Sequence, residues 1–443
     1  MGWIISKKYL IALVLSLSIR LLPQSHQLEI NKDIFRVDSI LISGNNSTKE
    51  FVILNELTFK QGNFISNYDL EFNKERIYSL GLFNKVNLDK IEKQQKVFVE
   101  IKVEESWYIF PIPFARLNER DFKKLSYGLN LIYKNFRGRN ETILGTISFG
   151  YNPAYGFSYI NPNLTSGGDY FLKFSAYSSI TNNQSLIAEL KNESQFDYKK
   201  IFSSMLIGKR LNQFNKIYLT FSYHYIETKD LKIPFTISSD RIDRFPTIEL
   251  GYEFDSRDLI QFPKNGNYFF LLGSAKGLNL NNQINYQTLK TDIRFYSKLF
   301  DELFFKTRNF TRFTIGKKIP IYDYSIIGTE EKIRGSFFKK IEDRNLFLLS
   351  SEFFIPLLRE LYLNLDFIPI IPERLLNYRI EIYAHTFFDY GLVFKKQIKS
   401  KNELNGFGIG LSFLILPFNV IRFEIGYNKF SKPEFIIDLG KFF

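Results

Sequence analysis

Residues 107–443 consist of short runs in which apolar and polar side chains alternate, separated by polar or glycine-rich turns. The run 216–225 is typical, and the runs 407–413 and 421–427 repeat it. Its two faces are Ile217, Leu219, Phe221, Tyr223 and Tyr225 on one side, and Tyr218, Thr220, Ser222 and His224 on the other. Such a strand has one apolar face for lipid and one polar face for a wet interior, and at about 20 residues per strand and turn the segment holds about sixteen strands. The pattern predicts a transmembrane antiparallel β-barrel over residues 106–443.

Residues 34–105 have a different pattern, which predicts a small α+β domain. A helical period replaces the alternation in the middle of this segment, and strand-like runs flank it on both sides. The predicted elements are a strand at 35–42, a helix through Phe51, Leu54 and Leu57 capped by Thr48, a helix at 68–80, and strands at 85–91 and 96–103. Turns and element boundaries are predicted at Gly44, Asn45, Gly62, Gly81 and Phe83.

The first 27 residues are predicted to be an export signal. Lys7 and Lys8 precede the apolar run 9–17, which is too short for a stable membrane anchor. The predicted organisation is therefore a signal peptide at 1–27, the α+β domain at 34–105 and the barrel at 106–443. The run 184–193 could form a further strand, but an even strand number favours an outer loop there.

Composition narrows the functional classes. Aromatic residues make up 17% of the chain, with 48 Phe and 26 Tyr, yet no later stretch has the ~20 consecutive apolar residues of a membrane helix. Cysteine is absent and only three histidines occur, so we expect no thiolate chemistry, no metal site and no cofactor. No catalytic constellation is recognisable, and an enzyme is not expected. The net charge of +13 would suit nucleic acid, but the cations are spread along the chain, which suits anionic lipid headgroups equally well.

Arg334, beside Gly335, is the central candidate residue. A lone guanidinium among membrane-spanning strands is costly unless it is paired inside the structure. Two carboxylates, Glu352 and Asp389, lie on later candidate strands. Our hypothesis is that the loop carrying Arg334 folds into the barrel and meets them. The tripeptide by itself favours an exposed turn, so the hypothesis depends on the rest of the chain.

Three further groups of residues mark turns and strand edges. Asp255, Arg257, Asp258, Pro263 and Gly266 have a spacing that suits a tight turn between neighbouring strands. Pro111 and Pro113 cannot donate ladder hydrogen bonds, so a strand containing them fits best at a sheet edge, although they could simply mark a linker. The chain ends on an alternating run that suits a last strand facing lipid. Its apolar members are Phe435, Ile437, Leu439 and Phe443.

The order of these motifs along the chain resembles the BamA/TamA superfamily of outer-membrane assembly factors, also called the bacterial surface antigen family. The segment 34–105 resembles a single POTRA domain, where the best-known members have several. The resemblance implies that Arg334, on a loop inserted into the barrel, pairs with Glu352 and Asp389. The sequence departs from the family motif at Ile333 and Ser336, where the family has valine and an aromatic residue.

The resemblance also implies a function and a location. Unfolded β-barrel clients would be received on the POTRA edge and inserted through a seam between the first strand, 107–116, and the last strand, 434–443. Pro111 and Pro113 would lie on one side of this seam, and the apolar residues of the terminal run on the other. The barrel would lie in the outer membrane of a diderm bacterium, with the POTRA domain in the periplasm. Accessory lipoproteins or periplasmic chaperones and outer-membrane lipid would be partners, and nucleic acid would not. A secretion or transport pore of the same superfamily is the alternative, and a soluble basic β-protein that binds nucleic acid is a third.

Overall fold

The computed structural model describes residues 34–117, 122–278, 284–368, 372–395, 402–428 and 433–440. The predicted signal peptide at 1–27 lies outside these residues, as does Phe443. The described chain forms an N-terminal α+β domain followed by one large antiparallel sheet of sixteen strands. No helix in this part of the chain has both the length and the apolar character needed to cross a bilayer.

The N-terminal domain places two helices against a three-stranded sheet with strand order β2-β5-β4. Strand β2 runs parallel to β5, and β4 runs antiparallel to it. A separate two-residue pair joins β1 to β3. The elements are β1 (Phe35–Arg36), β2 (Ser39–Ser43), α1 (Glu50–Leu54), β3 (Phe64–Ile65), α2 (Asn67–Ser79), β4 (Phe83–Lys93) and β5 (Lys96–Glu105). The single strand predicted at 35–42 is therefore two short strands with different partners.

Thr48 does not cap the first helix as predicted. The N-cap residue of α1 is Lys49, and no side chain caps it. Thr48 Oγ1 instead donates to Glu105 Oε1 at 2.7 Å, and the backbone N–H groups of Ser47 and Thr48 also donate to this carboxylate. A charged acceptor from the end of β5 thus replaces the local cap, which the helical pattern could not indicate.

The sixteen-stranded sheet confirms the fold class and the strand number. Each strand pairs antiparallel with its neighbours in the chain, and the hairpin β17–β18 lies outside the sheet. The strands are β6 (Ile109–Leu117), β7 (Leu125–Phe136), β8 (Glu141–Gly150), β9 (Ala154–Asn161), β10 (Tyr170–Asn182), β11 (Asp197–Arg210), β12 (Asn215–Thr228), β13 (Ile242–Asp255), β14 (Gly266–Lys276), β15 (Tyr286–Lys298), β16 (Phe304–Gly316), β17 (Ser325–Ile327), β18 (Ile341–Asp343), β19 (Asn345–Asn364), β20 (Asn377–Phe394), β21 (Glu403–Leu416), β22 (Asn419–Tyr427) and β23 (Glu434–Leu439).

The two faces of the strands differ in exposure as the alternation predicted. On β22 the apolar Phe423 and Ile425 are exposed on the outer face, whereas Arg422 and Glu424 are buried on the inner face. The wide inner space of a sixteen-stranded sheet accommodates charged side chains that pair with one another. A helix, α3 (Leu186–Asn192), lies where an outer loop was preferred to a strand.

The sheet has two open edges. Strand β6 pairs with β7 at one end, and β23 pairs with β22 at the other. Within the described residues no strand pairing joins β6 to β23, so the ring of hydrogen bonds is not closed. The first and last strands of the sheet are thus its edges.

The N-terminal domain packs against one end of the sheet through a continuous apolar core. The domain contributes residues such as Ile77 and Tyr78, and the sheet and its connections contribute Leu259, Phe262 and Tyr383. The rings of Phe262 and Tyr383 stack with centroids 4.3 Å apart. We call this end of the sheet the domain-facing end.

Candidate functional site: an arginine loop inside the barrel

The loop 317–344, between β16 and β19, folds into the space enclosed by the sheet. Its short hairpin β17–β18 pairs Ser325 with Asp343 and Ile327 with Ile341. The hairpin lies against the inner side of β19 and β20. Ile333 is fully buried in an apolar cluster with Ile327, Leu346 and Val393. This cluster holds the tip of the loop, which we call the lumen loop, at a fixed depth.

Arg334 bonds to three carboxylates at the tip of the lumen loop. Its Nε and Nη2 each donate to one oxygen of Asp389 at 2.7 Å, a two-pronged contact. Its Nη1 donates to Glu352 Oε1 at 2.5 Å and to Glu424 Oε1 at 2.9 Å. The guanidinium carbon also lies 3.9 Å from the centroid of the Phe387 ring. The structure thus brings Arg334 to both carboxylates expected from the sequence and to a third.

Two more cations complete this group of charges. Glu352 accepts from Lys306 Nζ at 2.6 Å and from Arg422 Nη1 at 3.0 Å. His385 Nε2 lies 2.9 Å from Glu424 Oε1. We use the name arginine cluster for Arg334, Glu352, Asp389, Glu424, Arg422 and Lys306. Each of the six is at most 2% exposed, and their three positive and three negative charges balance. Removal of one member would leave a buried charge without its counterpart.

Glycines let the lumen loop touch the backbone of the sheet directly. Gly335 has φ +84°, and a Cβ added there would lie 2.4 Å from the carbonyl oxygen of Tyr427. A Cβ at Gly406 would lie 1.8 Å from the carbonyl oxygen of Arg334, and one at Gly426 would lie 2.5 Å from the amide nitrogen of Gly335. Side chains at any of these positions would separate the loop from β21 and β22.

Hydrogen bonds also join the residues after Arg334 to the last strands of the sheet. Ser336, which stands where the related motif has an aromatic residue, is buried and donates to the carbonyl oxygen of Asn405 at 3.2 Å. The backbone N–H of Phe337 donates to Glu434 on β23 at 2.8 Å. The Phe337 ring lies under Lys332 Nζ at 3.9 Å. The lumen loop is therefore bonded to the last strand as well as to β19, β20 and β22.

The turn motif lies in the connection 256–265 between β13 and β14, at the domain-facing end. Arg257 donates to both oxygens of Asp255, and Gly266 has φ +109°. Asp258 accepts backbone hydrogen bonds from residues 259, 264 and 265. Burial raises the pKa of Asp258 to about 6. Pro263 is buried next to Phe262. The connection is longer than a tight turn and carries Leu259 and Phe262 into the core of the N-terminal domain.

The residues assigned to the seam lie on the two edge strands. Pro111 and Pro113 are on β6, opposite Leu131 and Leu129 of β7. Phe435, Ile437 and Leu439 are on β23, and all three are exposed.

The five residues assigned in the N-terminal domain occupy turns and element starts. Gly44, Gly62 and Gly81 all have positive φ, and a Cβ at Gly44 would lie 1.9 Å from the carbonyl oxygen of Val103. Asn45 Nδ2 donates to the carbonyl oxygen of Thr48 at 3.0 Å. Phe83 is fully buried at the start of β4.

Glu424, Arg422 and Lys306 were not assigned from the sequence. The polar face that carries Arg422 and Glu424 was visible, because these two residues and Gly426 alternate with apolar residues in the run 421–427. The pattern gives the face of a strand but not its height relative to a loop that is distant in the chain. The third carboxylate could therefore be placed inside the barrel from the sequence, but not beside Arg334.

Two family descriptions match the chain. Residues 135–443 match the Omp85 superfamily domain, and residues 35–106 match the POTRA domain described as a surface antigen variable number repeat. The first match spans more than half of the chain, so the protein belongs to the Omp85 superfamily, a family of outer-membrane β-barrel proteins. No curated protein matches its sequence closely enough to be reported.

Solved structures show the same fold at low sequence identity. BamA from Haemophilus ducreyi lacking POTRA domains 1–3 is 16% identical, with a TM-score of 0.52 over 92% of this chain and 83% of that chain. CdiB from Escherichia coli is 10% identical, with a TM-score of 0.57 over 91% of this chain and 75% of that chain. At these identities the likeness shows the fold alone.

Proposed function

We propose that this protein is an assembly factor that inserts other β-barrel proteins into the outer membrane of a diderm bacterium. Its N-terminal domain lies in the periplasm and receives unfolded clients. The clients enter the bilayer through the gap between β6 and β23. The observation that carries this proposal is the open sheet, since a gap between the first and last strands gives a client strand two unpaired edges.

The two edge strands are suited to opening. Pro111 and Pro113 remove two backbone donors from β6, which weakens any ladder formed on the side facing the gap. Strand β23 is short, since it spans Glu434–Leu439 and pairs with six residues of β22. A short edge and a proline-containing edge exchange partners at lower cost than two long regular strands.

The N-terminal domain offers two sheet edges, β2 and β4, to extended client segments. The start of β4 is covered, because Asn84 Nδ2 donates to the carbonyl oxygen of Arg374 at 2.8 Å. The distal half of β4 and the outer side of β2 therefore remain for client binding. Periplasmic chaperones or accessory lipoproteins would deliver clients to these edges.

The test is an insertion assay with the purified full-length chain in liposomes. An unfolded small barrel protein is added, and its protease-resistant folded fraction is followed over time against empty liposomes. We expect acceleration that Arg334→Ala abolishes. Arg294→Ala is the matched control, since Arg294 is an inner arginine whose guanidinium forms a two-pronged pair with Asp292 on the same strand, outside the lumen loop. No acceleration by the native protein would contradict the proposal, and steady ion conductance in the same liposomes would then favour a secretion or transport pore.

A further inference from the structure

The domain-facing rim of the sheet has a step between β16 and β19. Pairing between these strands ends at Phe304 and Phe354. Strand β19 nevertheless continues to Asn364, and on its other side it stays paired with β20 as far as Asn377. Residues 355–364 thus have β20 as their one neighbouring strand in the described chain. We call this free stretch of β19 the β19 step.

A cavity of about 400 Å³ lies beside the β19 step. Charged residues of both signs line it, together with two aromatic rings. The lining includes the cations Lys264, Lys298 and Arg359, the carboxylates Asp301 and Glu360, and the rings of Phe304 and Tyr383. Lys264 is already bonded to Glu381 at 3.0 Å, whereas Lys298 and Arg359 are exposed at the mouth.

Exposed apolar side chains lie next to two of the lining residues, since Phe300 precedes Asp301 and Leu357 follows Pro356. Phe300, in the connection between β15 and β16, is 73% exposed, and Leu357 on the step is 58% exposed. Ile355 and Phe353 continue the same outer face along β19 towards the middle of the sheet. This face is continuous with the outer apolar surface that a barrel of this family presents to lipid.

We propose that the β19 step binds a phospholipid whose headgroup carries both a phosphate and an ammonium group. Lys298 and Arg359 would hold the phosphate, together with free backbone N–H groups of the step. Asp301 would hold the ammonium group, which a purely anionic headgroup lacks. Glu360 is already paired with Arg379 at 3.4 Å and with Lys74 at 3.8 Å, so it contributes only a second negative charge at the cavity wall. The acyl chains would lie along Ile355 and Leu357. Arg359 contacts Glu302 at 2.7 Å, but both side chains are more than half exposed, so this pair can rearrange at little cost.

An added peptide strand is the competing occupant of a free sheet edge, and the geometry disfavours it. Pro356 lacks a backbone donor, and the register of β19 against β20 shifts between Pro356 and Leu358 and again between Leu358 and Leu361. A regular hydrogen-bonded ladder cannot cross these interruptions. A headgroup needs donors at one point only. The inference holds whether the barrel inserts clients or conducts solutes, and so it does not rest on the proposed function.

The test is native mass spectrometry of the full-length protein, released from detergent with phosphatidylethanolamine, phosphatidylglycerol or phosphatidylcholine of matched acyl chains. We expect preferential retention of phosphatidylethanolamine, reduced at least tenfold in the double variant Lys298→Glu/Arg359→Glu. The control Lys199→Glu/Lys209→Glu reverses two charges on β11 and should retain the lipid. Heat-modifiable gel mobility checks that each variant is folded.

Four results would overturn the inference. Equal retention of all three lipids would exclude a headgroup site, as would retention unaffected by Lys298→Glu/Arg359→Glu. Full displacement of the lipid by soluble glycerophosphoethanolamine would show that the site takes a free phosphate compound rather than a lipid. Displacement by an extended apolar peptide that cross-links to a photoreactive residue at position 357 would assign the step to strand addition instead.

Discussion

The variant Arg334→Ala tests the arginine cluster most directly, because it removes a different share of the ion-pair partners from each of the three carboxylates. Glu352 keeps Lys306 and Arg422 as partners, and Glu424 keeps its contact with His385. Asp389 loses both guanidinium bonds and keeps the backbone N–H of residue 334. Since Asp389 is fully buried, it would become the least compensated charge in the barrel interior.

The expected loss of stability follows from that geometry. Removing one partner of a buried ion pair costs about 3–5 kcal/mol, because the remaining charge stays desolvated. Arg334→Ala should therefore lower the free energy of unfolding by about this amount. Adding Asp389→Asn neutralises the stranded carboxylate, so the double variant should be more stable than the sum of the single changes predicts, by about 1–3 kcal/mol.

The measurement is urea unfolding of the liposome-embedded barrel, followed by heat-modifiable mobility on gels. Arg294→Ala is the control, because Asp292 keeps its bond from Arg308 when Arg294 is removed. The reasoning is refuted if Arg334→Ala loses no more stability than Arg294→Ala. It is also refuted if the effects of Arg334→Ala and Asp389→Asn simply add, since contacting charges must then be uncoupled.

Three further predictions address the loop and the domain contact. Gly335→Ala should release the lumen loop and expose it to protease while the barrel keeps its heat-modifiable mobility; continued resistance would show that the close approach to β22 is not needed. Phe262→Ala removes a buried ring stacked on Tyr383 and should cost about 3–5 kcal/mol, so that protease frees the N-terminal domain faster than in the native protein; an unchanged rate would contradict this. Burial raises the pKa of Glu75, on α2, from 4.5 to about 7, so its stabilising contribution is present below pH 4.5 and lost as pH rises through 7. The urea midpoint of the native protein should therefore be higher at pH 5 than at pH 8, and Glu75→Gln should remove this difference. If the difference persists in the variant, it arises from other groups.

The strand number and the faces of the strands could be predicted because both depend on a local period of two. Ile217, Leu219 and Phe221 alternate with polar residues, and a barrel uses this alternation directly. The sequence-based predictions were wrong where a group distant in the chain changed the local structure. Thr48 has the residue type of a helix cap, yet Glu105 at the end of β5 takes its hydroxyl.

Contacts between parts of the chain that are far apart could be predicted only from a known motif order. The resemblance paired Arg334 with Glu352 and Asp389, whereas Glu424 lies 90 residues away and carries no motif of its own. Leu259 and Phe262 likewise lie inside the motif from Asp255 to Gly266, for which the sequence predicted only a turn. Their place in the core of the N-terminal domain depends on how two separate units pack, and no local period encodes this packing.

The contacts of the lumen loop limit how the gap between β6 and β23 can widen. The arginine cluster draws its members from β16, β19, β20 and β22, and the Phe337 amide bonds to Glu434 on β23. None of these contacts reaches β6. A gap that widens by movement of β6 and β7 therefore leaves every one of these bonds in place, whereas movement of β23 breaks the bond to Glu434 and strains the contact of Gly335 with β22. For the proposed function, we therefore expect the lumen loop to stay in the barrel when a client strand enters. We expect β6, which carries the prolines, to move rather than β23, at the cost of the edge-to-face contact between Phe110 and Phe418.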